Sequence, residues 1–135
     1  MRFLRVTDPR LGYIFVPWFV ECDLSRKDMF LILMQKLTHE PDEIFAALVI
    51  DNDLIKGAVI ACTRKEDVLL WQARGDNGID TKTVDRVLDG IGHWAKSKGY
   101  SRITAFPNRA RKLWVRRWGF RPSPENEHEV YKETG

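Results

Sequence analysis

Three short apolar segments follow one another between residues 44 and 73, separated only by polar turns. The segments cover residues 44–50, 55–63 and 68–73 and are rich in Val, Ile, Leu and Ala. Apolar segments of this length, bounded by Asp, Asn and charged residues, are typical of β-strands. Strands joined by short turns pair in antiparallel fashion. The sequence therefore predicts a three-stranded meander, and because both of its faces are apolar, helices are expected to cover both.

The segments before the meander predict an edge strand and two helical pieces. Residues 2–6 fit a short strand, and residues 11–22, which are apolar and aromatic, predict a short helix or helical turn. Ser25, with Asp28 three residues later, is a cap for a further helix, which is expected to run to about Thr38. The meander is thus preceded by one strand and two helical elements.

The segments after the meander predict a helix, a strand, a second helix and a final strand. Asp80 is expected to cap the first of these helices, and Gly99 ends it in the left-handed conformation. Residues 102–106 form the next strand, which is expected to be parallel to its neighbour because it follows a helix. A basic helix over residues 109–118 and a strand over residues 127–132 complete the chain.

The predicted order gives an α/β fold (α+β in layers), with a mixed, mostly antiparallel sheet and helices on both faces. The chain has 135 residues, and residues 1–135 are expected to form a single domain. Its two cysteines have no metal-type spacing, so no metal site is expected. The longest nearly apolar run, residues 11–20, is too short to span a membrane. We therefore expect a soluble, cytoplasmic protein without a membrane partner.

Positive charge is concentrated near the C-terminus, where six of the 22 basic residues lie between Arg109 and Arg121. Arg109, Arg111 and Lys112 fall in the first turn of the predicted helix, where they oppose the helix dipole. Positive charge at a helix start is unfavourable unless an anion binds there, so these residues indicate a phosphate-bearing ligand or a nucleic-acid backbone. The alternative is a basic surface that contacts only solvent. The residues of this helix expected to face the core are Ala110, Leu113, Trp114 and Trp118.

The whole chain resembles the GNAT superfamily of N-acyltransferases, and it looks like a divergent member. The matching positions are Gly99, Pro107, Asn108 and the pair Gly119-Phe120. The resemblance implies a GNAT-like fold in which the third meander strand and the strand after the long helix splay apart around acetyl-CoA. It also implies transfer of an acetyl group from acetyl-CoA to an amine of a small molecule or protein, by direct attack on the thioester.

The resemblance places the contacts to acetyl-CoA in three stretches. The end of the third meander strand would hold the pantetheine arm through its backbone, the start of the long helix would meet the pyrophosphate, and the start of the basic helix would border the thiol and nucleotide ends. In that order, the residues are Trp71, Gln72 and Ala73; Thr81, Lys82 and Thr83; and Asn108, Arg111 and Lys112.

The chain departs from the family's pattern at the pyrophosphate turn. The glycine-rich turn of the family falls on residues 79–84, where the glycine positions carry Asp80, Lys82 and Val84. A side chain at each position limits how closely the backbone approaches a phosphate, and Asp80 adds repulsion. Lys82 and the neighbouring threonine hydroxyls partly compensate.

The catalytic residues are not assigned by the sequence. Val115 stands where many family members have a tyrosine that serves as general acid. The candidates for a general base are His93, Glu66 and Asp67, none of which is singled out by its spacing. Loss of a general acid still permits catalysis, because proton transfer typically contributes about 10²–10⁴-fold.

The alternative hypothesis is a catalytically inactive GNAT-fold protein that acts as a structural or accessory module or contacts nucleic acid. The altered turn and the basic last helix also resemble members encoded by bacteriophages, some of which are thought to be virion or accessory proteins. The preferred hypothesis is the enzyme, with acetyl-CoA and an amine acceptor as its partners. A homodimer through a C-terminal edge strand is compatible with either hypothesis.

Overall fold

The computed structural model describes residues 1–20, 22–107 and 111–134. These residues form a seven-stranded sheet with helices on both of its faces. The strands are β1 (Arg2–Arg5), β2 (Ile44–Asp51), β3 (Leu54–Thr63), β4 (Val68–Gly75), β5 (Arg102–Ala105), β6 (Arg121–Pro122) and β7 (Val130–Glu133). The helices are α1 (Arg26–His39), α2 (Thr81–Ser97) and α3 (Arg111–Arg117), with 3₁₀ segments at Pro9–Trp18 and Pro41–Glu43.

The strand order across the sheet is β1-β2-β3-β4-β5-β7-β6. β4 and β5 pair in parallel, and the other neighbours pair in antiparallel fashion. The mixed, mostly antiparallel α/β fold predicted from the sequence is confirmed, as are the position of β1 at an edge and the parallel pairing of β5. The opposite edge is the two-residue strand β6 and not the final strand, because Arg121 and Pro122 pair with the outer side of β7.

Two apolar cores lie on opposite faces of the sheet because alternate residues of a strand point to opposite sides. In β2, Phe45 and Ala47 belong to the core beneath α2. Ala46 and Leu48 belong to the core beneath α1 and the first 3₁₀ segment. The three-layer arrangement follows from the meander strands, which are apolar on both faces and need a cover on each.

The last helix packs on the α2 side through its tryptophans. Trp114 makes edge contacts with Trp118 and Phe120, with ring centroids 5.1 and 5.2 Å apart. Leu113 was expected in the core with these tryptophans. This expectation is wrong, because Leu113 is 46% exposed. Trp114 and Val115 of α3, and Trp118 directly after it, pack against the core, and Leu113 is left on the outer side. Ala110, which was also expected to face the core, lies outside the described residues.

The helix ends follow the sequence closely. The Ser25 hydroxyl accepts a hydrogen bond from the Asp28 N–H at 3.1 Å, which caps α1 as predicted. Gly99 has a φ of +88° and terminates α2, a conformation that a residue with a side chain rarely adopts. None of the helices in the described part of the chain is long and apolar enough to cross a membrane.

A pair of facing glycines fixes the path of the chain from β4 into α2. Gly57 of β3 lies opposite Gly75 of β4, and the side chain of Ile79 enters the space that both leave open. The Asp76 N–H donates to the Lys56 carbonyl at 2.8 Å. The loop that leads into α2 is thereby held against the end of the sheet.

Substitution of Gly57 by Ala is expected to destabilise the protein by about 1–3 kcal/mol, the usual cost of overpacking. A Cβ at this position would lie 2.8 Å from both the Arg74 carbonyl oxygen and Ile79 Cδ1, so backbone would have to shift. Urea denaturation measures the change. The matched control is Gly78→Ala, which meets no atom within 4 Å and should change stability by less than about 0.5 kcal/mol. Equal effects of the two substitutions would contradict this account.

Candidate functional site

The candidate site begins where β4 and β5 part. Their parallel pairing runs from Val68 opposite Ile103 to Leu70 opposite Ala105. β4 then continues to Gly75, whereas β5 ends at Ala105. Among the described residues, the edge of β4 that follows Leu70 therefore has no strand partner on the β5 side. Because alternate residues of a strand direct their N–H and C=O groups to the same edge, this edge offers unpaired backbone donors and acceptors.

A β-bulge lies at the same point on β4. Ile60 of β3 is opposite Gln72 and Ala61 is opposite Leu70, so Trp71 is the extra residue. A bulge of this kind lets consecutive side chains point to the same face. Trp71 packs on Phe19, with ring centroids 6.2 Å apart. The Trp71 and Gln72 side chains both lie on the α1 side of the sheet.

The side chain of Gln72 ties the wall of the cleft together. Gln72 is 5% exposed. Its Oε1 accepts a hydrogen bond from the Val20 N–H at 2.6 Å, and its Nε2 donates to Met29 Sδ at 3.5 Å. Because the amide is used in these contacts, Gln72 positions the segment after the first 3₁₀ segment against β4. Only its backbone remains available to a ligand.

The space between the diverging strands is a cleft of about 790 Å³. Its walls come from β4, from the residues that follow β5, from α3 and from the chain around the start of α1. The expected pantetheine contacts Trp71, Gln72 and Ala73 line this cleft. The remaining lining residues are Val20, Cys22, Arg26, Leu69, Leu70, Arg74, Ala105, Phe106, Pro107 and Trp114.

The start of α2, where pyrophosphate contacts were expected, carries an anion of its own. Asp80 caps the helix, and its Oδ1 accepts a hydrogen bond from the Thr83 N–H at 2.7 Å. Hydrogen bonds from Thr83 lower the pKa of Asp80, so its carboxylate is charged at neutral pH. The carboxylate therefore accepts a hydrogen bond from one of the free N–H groups at the helix start, and that N–H group is no longer available to a phosphate.

The three residues expected to meet the pyrophosphate differ in accessibility. Thr81 and Lys82 are exposed at the first turn of α2. Thr83 is fully buried, and its hydroxyl accepts a hydrogen bond from Arg86 Nη2 at 3.1 Å. The hydroxyl of Thr83 therefore cannot be reached by a ligand in this conformation, whereas Thr81 and Lys82 can be.

The third group of expected contacts lies at the start of α3. Asn108 falls outside the described residues. Arg111 is half-buried and Lys112 is exposed, and the residue of this helix that lines the cleft is Trp114. Trp114 was expected in the core alone, and Arg26, Arg74 and Phe106 were not predicted for the site, because no local pattern in the sequence brings them together.

The candidate acid and base residues lie away from the cleft. Val115, at the position of the family's tyrosine, is half-buried against the core and carries no proton to donate. Glu66 and His93 are exposed and do not line the cleft. The described lining contains no carboxylate, imidazole or phenol.

Asp67, the remaining base candidate, is held in a structural network at the other end of β4. Its carboxylate receives hydrogen bonds from Arg64 Nη2 and from the Thr104 hydroxyl, both at 2.6 Å. Partial burial by itself would raise the pKa of Asp67, but these hydrogen bonds and the charges of Arg64 and Arg102 outweigh it and lower the pKa. A carboxylate with a lowered pKa and fixed partners is a poor proton acceptor.

Solved structures share this architecture at low sequence identity. A predicted acetyltransferase from Clostridium acetobutylicum, solved with acetyl-CoA, has a TM-score of 0.75 at 12% identity, over 93% of this chain and 92% of that one. The PaiA N-acetyltransferase of Thermoplasma acidophilum, in complex with coenzyme A, has a TM-score of 0.70 at 9% identity over 98% of each chain. A GNAT-family acetyltransferase from Streptococcus pneumoniae has a TM-score of 0.64 at 18% identity, over 98% of each chain.

No model of a protein family matches the sequence, and no curated protein is significantly similar to it. The structural likeness extends over nearly the whole chain. The protein therefore has the GNAT fold, as its sequence predicted, in a strongly divergent form.

Replacement of Asp67 by Asn is expected to lower the free energy of unfolding by about 1 kcal/mol at pH 7, since water partly screens the lost ion pair. The pKa of Asp67 is lower in the folded chain than in the unfolded chain. Its contribution is therefore complete above the unfolded value near 4 and is lost as the pH falls through the folded value.

Urea denaturation at pH 7 and at pH 3 tests this expectation. The difference between Asp67→Asn and the unmodified protein should be present at pH 7 and shrink at pH 3. Glu66→Gln, at an exposed neighbouring position, is the matched control and should have little effect at either pH. A pH-independent difference for Asp67→Asn would contradict the role given to its charge.

Proposed function

We propose that this protein binds acetyl-CoA in the cleft between β4 and β5 and transfers the acetyl group to an amine of a small molecule or protein. The observation that carries this proposal is the loss of strand pairing after Leu70 and Ala105, which leaves a backbone edge beside a cleft of about 790 Å³. Proteins of the same fold have been solved with coenzyme A and with acetyl-CoA, which supports this ligand.

The exposed edge of β4 suits the pantetheine arm of acetyl-CoA. That arm is an extended chain with two amide groups, and it can bond to a free strand edge as an added β-strand does. The backbone of Trp71, Gln72 and Ala73 provides this edge in our proposal. The buried side chain of Gln72 stabilises this part of β4 through its hydrogen bonds to Val20 and Met29.

The phosphate groups would be bound by side chains more than by a backbone cradle. Asp80 already accepts the Thr83 N–H, so Lys82 and the Thr81 hydroxyl are the groups at the start of α2 that face an incoming pyrophosphate. Lys112 and Arg111 at the start of α3 provide positive charge for the nucleotide end. Asn108 would border the thiol end in the same scheme.

The cleft favours the reactive form of an amine without a dedicated base. Apolar walls that include Trp71, Phe106 and Trp114 desolvate the ammonium form. This desolvation lowers the pKa of a bound amine, which releases its proton to water. The neutral amine then attacks the thioester carbonyl, and a C–N bond forms. The C–S bond breaks, the nitrogen gives up its extra proton to water to become the amide, and water returns a proton to the departing thiolate, so the products are the N-acetyl compound and the free coenzyme A thiol.

A second candidate function is contact with a nucleic-acid backbone through the basic surface of α3 and β6. Lys112, Arg116, Arg117 and Arg121 are exposed there, and none of them forms an ion pair with another described residue. Unneutralised charge of this kind suits a polyanion. It also suits the phosphates of acetyl-CoA, so this observation ranks below the open edge of β4.

Isothermal titration calorimetry with acetyl-CoA tests the proposed ligand. The unmodified protein should bind it, and Ala73→Phe should weaken the affinity at least about 10-fold, because a ring on an exposed lining position fills the cleft. Leu31→Phe is the matched control, since Leu31 is exposed on α1 outside the cleft, and it should leave the affinity unchanged. Absence of heat with millimolar acetyl-CoA would exclude the enzyme and leave the second candidate.

Charge reversal at the start of α2 tests the pyrophosphate position. Lys82→Glu should weaken binding of acetyl-CoA about 10-fold or more, because it replaces an attractive charge with a repulsive one next to Asp80. The affinity should be more sensitive to salt in the unmodified protein than in the variant. Lys65→Glu, in the exposed turn before β4, should have no effect on binding. Unchanged affinity of Lys82→Glu would show that the phosphates lie elsewhere.

A further inference from the structure

Two arginines, Arg26 and Arg74, line the cleft. We propose that the acceptor amine bears an oxyanion, a carboxylate or a phosphate, that pairs with the guanidinium groups of Arg26 and Arg74. Guanidinium binds both oxyanions through paired N–H···O hydrogen bonds. This inference names the substrate class for the function proposed above and rests on it.

Arg74 is directed to the α1 side of the cleft by the bulge in β4. Since the bulge at Trp71 turns Trp71 and Gln72 to that side, Ala73 points away and Arg74 returns to it. Its Nη1 donates to the Phe19 carbonyl at 3.4 Å, a long hydrogen bond that places the guanidinium on the α1 side of the sheet. A guanidinium has five N–H donors, so this contact leaves most of them open toward the cleft.

Arg26 approaches the same cleft from the first residue of α1. The cap at Ser25 fixes where this helix starts, and the chain before it is tied to β4 by the bond between Val20 and Gln72. Both arginines line the cleft and are exposed. Within the described residues, neither Arg26 nor Arg74 forms an ion pair with a carboxylate.

The charge of this pair is not matched by the rest of the described lining. Among the described lining residues, Arg26 and Arg74 are the charged ones, and the others are apolar or uncharged. A bound oxyanion would neutralise the two positive charges that this lining carries.

The geometry assigns this anion to the acceptor and not to acetyl-CoA. The groups proposed for the coenzyme's phosphates, Lys82 and Lys112, belong to α2 and α3, which pack on one face of the sheet. Arg26 and Arg74 lie on the face covered by α1 and the first 3₁₀ segment. The arginines would hold the anionic end of the acceptor while its amine points to the thioester between the strands.

Binding of product analogues tests the inference separately from the transfer reaction. The probes are a panel of N-acetyl-L-amino acids, each with its neutral amide, and N-acetyl-O-phosphoethanolamine with N-acetylethanolamine. Binding is followed by NMR through the indole N–H of Trp71 and the Nε–H signals of Arg26 and Arg74. At least one N-acetyl-amino acid, or the phosphate compound, should bind at least 10-fold more tightly than its neutral partner. A preference among the amino acids identifies the oxyanion as a carboxylate, and a preference for the phosphate compound identifies it as a phosphate.

Variants show whether the arginines cause the preference. Arg26→Gln and Arg74→Gln should each reduce it to less than about threefold, whereas Lys27→Gln, an exposed cation next to Arg26, should retain it. Equal binding of charged and neutral probes, or a preference that survives both arginine substitutions, would overturn the inference. Failure of acetyl-CoA to bind, with the preference intact, would refute the proposed function alone, because these probes need no coenzyme.

Discussion

Pairing between β4 and β5 lasts for three residue pairs, and the candidate site depends on where it stops. Beyond Leu70 and Ala105 the two strands separate, so a stretch of β4 keeps β3 as its partner on one side and has an open edge on the other. Backbone N–H and C=O groups without a protein partner bond either to water or to a ligand, so an extended ligand can pair with this open edge. The same separation creates the cleft, so one constraint provides both the space and the bonding groups.

The bulge at Trp71 decides which side chains enter this space. It turns two consecutive side chains to the α1 side, and one of them, Gln72, uses its buried amide to hold the Val20 N–H. A regular strand would have sent Trp71 and Gln72 to opposite faces. The bulge thereby couples the wall of the cleft to the segment that leads into α1, and it also brings Arg74 to the face where Arg26 lies.

The start of α2 is occupied in part by a carboxylate of the chain itself. The N–H group of Thr83 is bonded to the chain's own Asp80, and the loop before it is fixed by Ile79 in the space between Gly57 and Gly75. A phosphate at this point would meet a carboxylate and would need compensation from Lys82 and from α3. Recognition by flexible cations is expected to be more sensitive to salt than recognition by a rigid backbone cradle.

The sequence by itself determined the order of the helices and of every strand except the short β6, the parallel placement of β5 and the ends of α1 and α2. These features follow from periodicity and from the caps Ser25, Asp80 and Gly99, which act through neighbours in the chain. It also placed Trp71 and Ala73 at the strand that lines the cleft. Only the tertiary structure decided that Thr83 is buried, that Leu113 is exposed and that Arg26 and Arg74 line one cleft. These outcomes depend on contacts between residues far apart in the chain, which leave no local pattern in the sequence.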